Sequence, residues 1–221
     1  MSTTLEIKSK PRWERRKDAR PQEVLAAALD IFVERGYAAT RLDDVAARAG
    51  VSKGTLYLYF ENKEELFKAV VRENLVPALN EAEDYVENYS GSSTDLLREF
   101  ILAWWKRIGE TKLSGITKLM MAESGNFPDV ASFYHEEVIS RGNALIIRVL
   151  ERGMQSGEFR RIDKVHANLV IVSPVLMLMM WKHSFNALQP HPISTNEYLD
   201  CFLDLITRGL HAAPLSFSNT Q

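Results

Sequence analysis

Cysteine is almost missing from this chain: Cys201 stands alone among 221 residues. No internal disulfide is available, and without a partner cysteine or a histidine cluster a structural zinc site has no ligand set. A reducing, cytoplasmic setting is therefore expected. Long hydrophobic runs are also missing. The most apolar, LVIVSPVLMLMMW at 169–181, has 13 residues and contains Ser173 and Pro174; a membrane span needs roughly 18 or more. It reads as a buried helix, and no membrane partner is expected. The first residues, MSTTLEIKSKPRWERRK, lack the apolar stretch of a signal peptide, so secretion is not expected.

Catalytic constellations are lacking as well. The five histidines, at 135, 166, 183, 191 and 211, show no metal-ligand pairing at i, i+4, and no glycine-framed nucleophile accompanies them. Cys201 lies in an apolar helical pattern, where a buried thiol is the expected reading. No enzyme activity, cofactor or metal is expected.

What is present is an ordinary folded composition, 46% hydrophobic and 25% charged. The net charge of −2 conceals an asymmetry: residues 1–60 hold 11 Lys/Arg against 8 Asp/Glu, and residues 61–221 hold 16 against 21. The excess is densest in KPRWERRKDAR at 10–20. One end favours a polyanion while the rest repels it, although a solvated basic tail is the plainer reading of that stretch alone.

Helical periodicity dominates the chain, with no repeat, no low-complexity tract and no period-2 pattern. Pro21 opens a helix with an apolar stripe at Val24, Leu25, Ala28, Leu29 and Phe32, closed by Gly36. A second helix starts at Thr40, at capping-box spacing to Asp43, and ends at Gly50. Ser52 caps a third, Lys53 to about Tyr59. Asn62 with Glu65 opens a long fourth helix to about residue 89, which Pro77 should kink. Five more follow at about 94–110, 113–124, 128–155, 163–187 and 195–210. The prediction is an all-α protein of about nine helices. Its parts are a flexible basic arm at 1–20, a helix-turn-helix domain at 21–66, a larger helical domain at 67–211 and a flexible tail at 212–221.

Helices two and three are shorter than the roughly 12–15 residues an isolated helix needs, so packing must hold them. With Val45, Val51 and Leu56 inward and Gly50 in the left-handed conformation, this is the pattern of a helix-turn-helix. The third helix then presents Lys53, Gly54, Thr55, Tyr57 and Tyr59 beside Ser52 at its N-terminus. Exposed tyrosines suit thymine methyls, sugars and phosphates in a major groove; the competing reading makes both core aromatics. Thr40, at a helix N-terminus, and Lys63 are expected at phosphates, and the arm with Arg15 and Arg16 along the backbone or in the minor groove.

The run TRLDDVAARAGVSKGTLYLYFENKEELF, residues 40–67, resembles the DNA-binding module of the TetR (tetracycline repressor) family of bacterial transcription regulators. The AGVSKGTLY core, Phe60 and Lys63 stand at the family spacing; Leu58 departs from the polar or aromatic residue many members carry there. The resemblance implies an all-helical homodimer that binds a palindrome-like DNA operator through its N-terminal modules and a small-molecule effector through its C-terminal domain. Repression is the family expectation.

The larger domain is rich in methionine and aromatics, which line adaptable apolar pockets but more often form core. Trp104, Met120, Phe133 and Met177 are the candidate ligand contacts, with Glu123, Arg107 and His183 as partners for a charged group. The helices at about 163–187 and 195–210 are the expected dimer contact, since a helix apolar all round must be covered. The competing functions are a helical protein-interaction module and, beyond that, an uncharacterised helical enzyme.

Overall fold

The computed structural model describes residues 20–211. Arg15 and Arg16 lie outside the described residues, as do the predicted arm and tail apart from Arg20. The chain divides into two compact units at Val70/Val71.

The first unit contains α1 (Arg20–Ala39), α2 (Leu42–Arg48), α3 (Lys53–Tyr57) and the start of α4 (Lys63–Asn74). Its centre is aromatic. Phe32 stacks on Tyr37 at 5.8 Å, and Phe67 meets both rings edge-on at 5.2 and 5.5 Å, arrangements that suit the ring quadrupoles. Val24, Ala28, Val45, Leu56, Leu66 and Val70 complete a core with no measurable exposure. Ion pairs tie the surface of this unit together: Arg48 grips Glu34 through both nitrogens at 3.0 and 2.9 Å, Arg35 reaches Asp44 at 2.6 Å, and Lys53 reaches Asp43 at 2.8 Å.

Gly36 sits at φ 83°, ψ 170° inside α1 and turns the chain before Tyr37, in a region essentially reserved for glycine. Thr40 departs from its expected role. It is buried, and its hydroxyl donates to the Gly36 carbonyl at 2.7 Å; the N-cap of α2 is Arg41, with no side-chain cap bond. The kink at Gly36 leaves a carbonyl without its helical partner, and Thr40 satisfies it. The predicted capping box to Asp43 consequently does not form.

The second unit comprises α5 (Val76–Asn88), α6 (Ser93–Trp104) continued by a π-turn (Trp105–Gly109), α7 (Ser114–Glu123), and α8 (Pro128–Tyr134) continued through a second π-turn (His135–Ile139) into α9 (Ser140–Ser156). Then come α10 (Lys164–Ser184), a 3₁₀ turn (Asn186–Leu188) and α11 (Thr195–Leu210). If α4 with α5 and α8 with α9 are each taken as one interrupted helix, the described residues contain nine helical stretches and no strand. The α4/α5 break falls at Leu75 and places Pro77 in the first turn of α5, where its missing N–H costs nothing. Asn62 and Ser194 accept from the backbone N–H three residues on, as their spacing predicts.

Helix α9 packs against α5, α6 and α10, burying Leu145, Ile146, Val149 and Leu150. Helix α10 is longer than the apolar run read from the sequence. It has 21 residues, and an 18-residue window within it has a mean hydropathy of 1.5, enough by length and composition to cross a membrane; 28% of that window is buried. The burial is one-sided: Asn168, Ile171, Val175, Leu178 and Met179 face inward, while Val165, Leu169, Val170 and Met177 are exposed. Cys201 is likewise exposed on α11, not buried as expected, because its neighbours Phe202 and Leu203 take the inward face.

Replacing Gly36 by alanine should destabilise the N-terminal unit by about 1–3 kcal/mol. A drop in the denaturant midpoint at unchanged slope is the expected result.

Candidate nucleic-acid interface and ligand cavity

Helix α3 is only five residues long. Its N-cap Ser52 accepts from the Thr55 N–H at 3.1 Å and shares a 2.8 Å hydrogen bond with the Thr55 hydroxyl. Leu56 is wholly buried beneath it, and Phe60 closes the core behind. What remains outside is a short edge: Tyr57 is 45% exposed, Tyr59 41% and Leu58 82%. The tyrosines are therefore not core residues. Lys53 lies 5.9 Å above the Tyr57 ring, and its hydrogen bond to Asp43 raises its pKa.

Gly54 is open. A Cβ built there would meet nothing closer than the Ser52 hydroxyl at 3.9 Å. The fold itself does not require glycine at this position, whereas close approach of a partner's backbone would. Gly50, by contrast, needs its φ of +66° to end α2 and start the turn.

Lys63 does something the sequence did not suggest. Its ammonium donates to the carbonyls of Tyr37 and Ala38 at 2.8 and 3.1 Å and lies 4.6 Å from the Tyr37 ring. A cation at a helix C-terminus complements the dipole there. Burial pushes the Tyr37 hydroxyl up to about 12, so the ring stays neutral under the lysine. Arg41, the N-cap of α2, is exposed beside this edge of the unit.

The second unit holds a cavity of about 910 Å³ with mostly apolar walls from α5, α6, α7, α8, α9 and α10. Trp104 and Met120, two of the candidate ligand contacts, line it. Phe133 and Met177 do not. Phe133 is buried with the Arg72 guanidinium 4.9 Å from its ring; the next residue, Tyr134, takes the cavity side and shares a 3.2 Å hydrogen bond with Thr117. On α10 the cavity face is Val172, Val175 and Leu176, and one further residue turns Met177 about 100° outward.

Of the three candidates for a charged group, Arg107 lines the cavity and binds Glu81 at 2.6 and 3.0 Å. His183 instead shares a 2.7 Å hydrogen bond with the Ser114 hydroxyl, and burial lowers its pKa. Glu123 is not among the lining residues. Both π-turns contribute to the walls, the first through Lys106, Arg107 and Ile108, the second through Val138 and Ile139; such turns often mark functional sites.

Residues 24–70, which span α2, α3 and most of α1, match the model of bacterial regulatory proteins of the tetR family. The HTH-type transcriptional activator FasR of Mycolicibacterium smegmatis is 45% identical over 69 residues, covering 30% of this chain and 32% of that protein. The fatty acid metabolism regulator protein of Bacillus subtilis is 26% identical over 147 residues, 65% of this chain and 74% of that protein. The B. subtilis regulator FadR in complex with stearoyl-CoA shares the fold, with a TM-score of 0.71 at 22% identity, covering 86% of this chain and 99% of the other. The helix-turn-helix end of this chain, residues 24–70, belongs to the TetR family. The chain is a DNA-binding transcriptional regulator, and these relatives are regulators and not enzymes. Because this chain spans only about a third of FasR, that relation concerns the DNA-binding end alone.

In this TetR-family module, the geometry separates a cap from a phosphate contact. Lys63→Ala should cost the N-terminal unit about 1–2 kcal/mol, as expected for charged hydrogen bonds to carbonyls, and should change the salt slope of DNA binding by well under one; a full unit lost at unchanged stability would return Lys63 to a phosphate. Gly54→Ala should leave the melting temperature equal or higher, since alanine favours helix by about 1 kcal/mol. Its DNA affinity should fall by about tenfold or more, the effect of one intruding methyl in a close contact.

Proposed function

We propose that this regulator is a ligand-controlled repressor that acts as a homodimer in the bacterial cytoplasm, nucleoid-associated when bound to DNA. Two copies of α3 then enter successive major grooves of a palindrome-like operator, about 34–36 Å apart or a whole multiple of that distance. The observation that carries the DNA contact is the outward edge of α3, with Leu56 sealed beneath it and Ser52, Lys53, Gly54, Thr55, Tyr57 and Tyr59 around it. The domain division expected from the sequence, with the module ending at 66 and the larger domain running to 211, is part of this proposal; the contact division at Val70/Val71 supports it.

Dimerisation is supported by the uncovered faces of α10 and α11. Val165, Leu169, Val170 and Met177 on one helix and Leu205 on the other are large, apolar and exposed, and a second copy of the same two helices would cover them isologously.

The effector is an apolar small molecule held in the cavity of the second unit, with Trp104 and Met120 as contacts. An acyl chain is the class favoured by the stearoyl-CoA complex of the similar fold and by the fatty acid regulator among the relatives. A route for the signal is available within the second unit. Arg72, in the last turn of α4, pairs with Glu137 at 3.2 Å, and the next two residues, Val138 and Ile139, line the cavity. A ligand with higher affinity for one arrangement of that π-turn would bias α4 and thereby the DNA-bound state.

The test is DNA binding across a salt series. Affinity falling steeply with salt and favouring one sequence supports the regulator, whereas salt-insensitive or absent binding favours the protein-interaction alternative. Leu169→Glu with Leu205→Glu should convert the dimer into a monomer in sedimentation and lower operator affinity. A native chain whose mass stays monomeric at every concentration would remove the dimer from this account.

A further inference from the structure

Helix α3 and its C-cap share one helical frame, since Leu58 has φ −70° and ψ −24° and donates its N–H to the Gly54 carbonyl at 3.2 Å. Successive side chains therefore rotate by about 100°. With Leu56 fixed inward, the direction opposite to it falls between Gly54 and Leu58, which stand four residues apart on one face. Thr55 flanks that face on one side; Tyr57 and Lys53 flank it on the other. The burial follows this arithmetic: Leu56 is 0% exposed, Leu58 82% and Tyr57 45%. The tyrosine that looks like the groove reader in the sequence is thus a flank, and the centre holds a glycine with empty space above it and a leucine.

An isobutyl group has no donor or acceptor to offer to a base edge. In the major groove, the feature it can recognise is the C5-methyl of thymine, the apolar group displayed there by an A·T pair. Gly54, with nothing over its Cα, lets the helix approach closely enough for Leu58 to reach it. Leu58 is 82% exposed, so its side chain adds little to the core of the unit.

We infer that Leu58 is a specificity-determining residue, reading a thymine methyl in each half-site, while Tyr57 and Lys53 position the helix from its flank. The inference rests on the DNA-binding reading of α3.

It is tested with the full chain. Preferred duplexes are selected from random DNA, and each thymine in them is then replaced singly by uracil, which removes only the methyl group. Affinities are measured at one fixed salt concentration for the native chain and for Leu58→Ala. The expected result is one symmetric pair of thymines at which the native chain loses roughly fourfold per methyl, as burial of a single methyl group implies, and at which Leu58→Ala loses nothing further. Leu58→Met, which keeps an apolar side chain, should retain the methyl sensitivity, and unchanged far-ultraviolet circular dichroism confirms that the variants are folded. Equal loss in the native chain and Leu58→Ala, or no methyl-sensitive thymine at all, overturns the assignment while leaving DNA binding intact. Failure to enrich any sequence overturns it together with the DNA-binding reading on which it rests.

Discussion

A helix of five residues cannot sustain itself in water, and the outward edge of the N-terminal unit follows from how α3 is held. One side chain, Leu56, is driven wholly into the core of the N-terminal unit, and Ser52 closes the first turn. Burying one residue of so short a helix fixes its rotation about its own axis. The positions that face outward are then determined by helical geometry alone. The aromatic cluster of Phe32, Tyr37 and Phe67, with Lys63 laid over Tyr37, forms the centre of the same unit.

The second unit solves a different problem. Its helices surround a large apolar cavity that their own side chains leave unfilled. Interiors normally close such spaces, because every unfilled volume forfeits dispersion contacts. Here the two π-turns, at Trp105–Gly109 and His135–Ile139, contribute to the walls. The second of them is flanked by Arg72 through Glu137 and faces the cavity through Val138 and Ile139. One element therefore touches both the cavity and the final turn of α4. Helix α10 shows the same unit from outside, with one face in the core and the other left apolar in solvent.

Much of this was legible in the residues. Proline, glycine and the serine and asparagine caps marked the helix ends, since these residues act through local backbone chemistry that needs no tertiary context. Leu56 read as an inward residue from its place in the helix-turn-helix pattern. The departures share a cause. Thr40 was read as the cap of α2, and it and Lys63 as phosphate contacts, from their neighbours in sequence; the structure sets both against carbonyls near the end of α1, Thr40 on Gly36 and Lys63 on Tyr37 and Ala38. Phe133, Met177 and Cys201 were each misplaced by a single step along a helix, about 100° of rotation, which composition cannot resolve.

The sequence by itself determined the helical class, the helix-turn-helix with its glycine turn, and the family to which the module belongs, because those depend on short-range spacing and backbone preference. Tertiary structure alone decided that α10 is half-exposed, that the cavity is lined by Trp104 and Met120 but not by Phe133 or Met177, and that Leu58 rather than Tyr57 stands at the centre of the outward face. The physical reason is that a helix's periodicity says which residues share a side, whereas only the packing partner says which side is in.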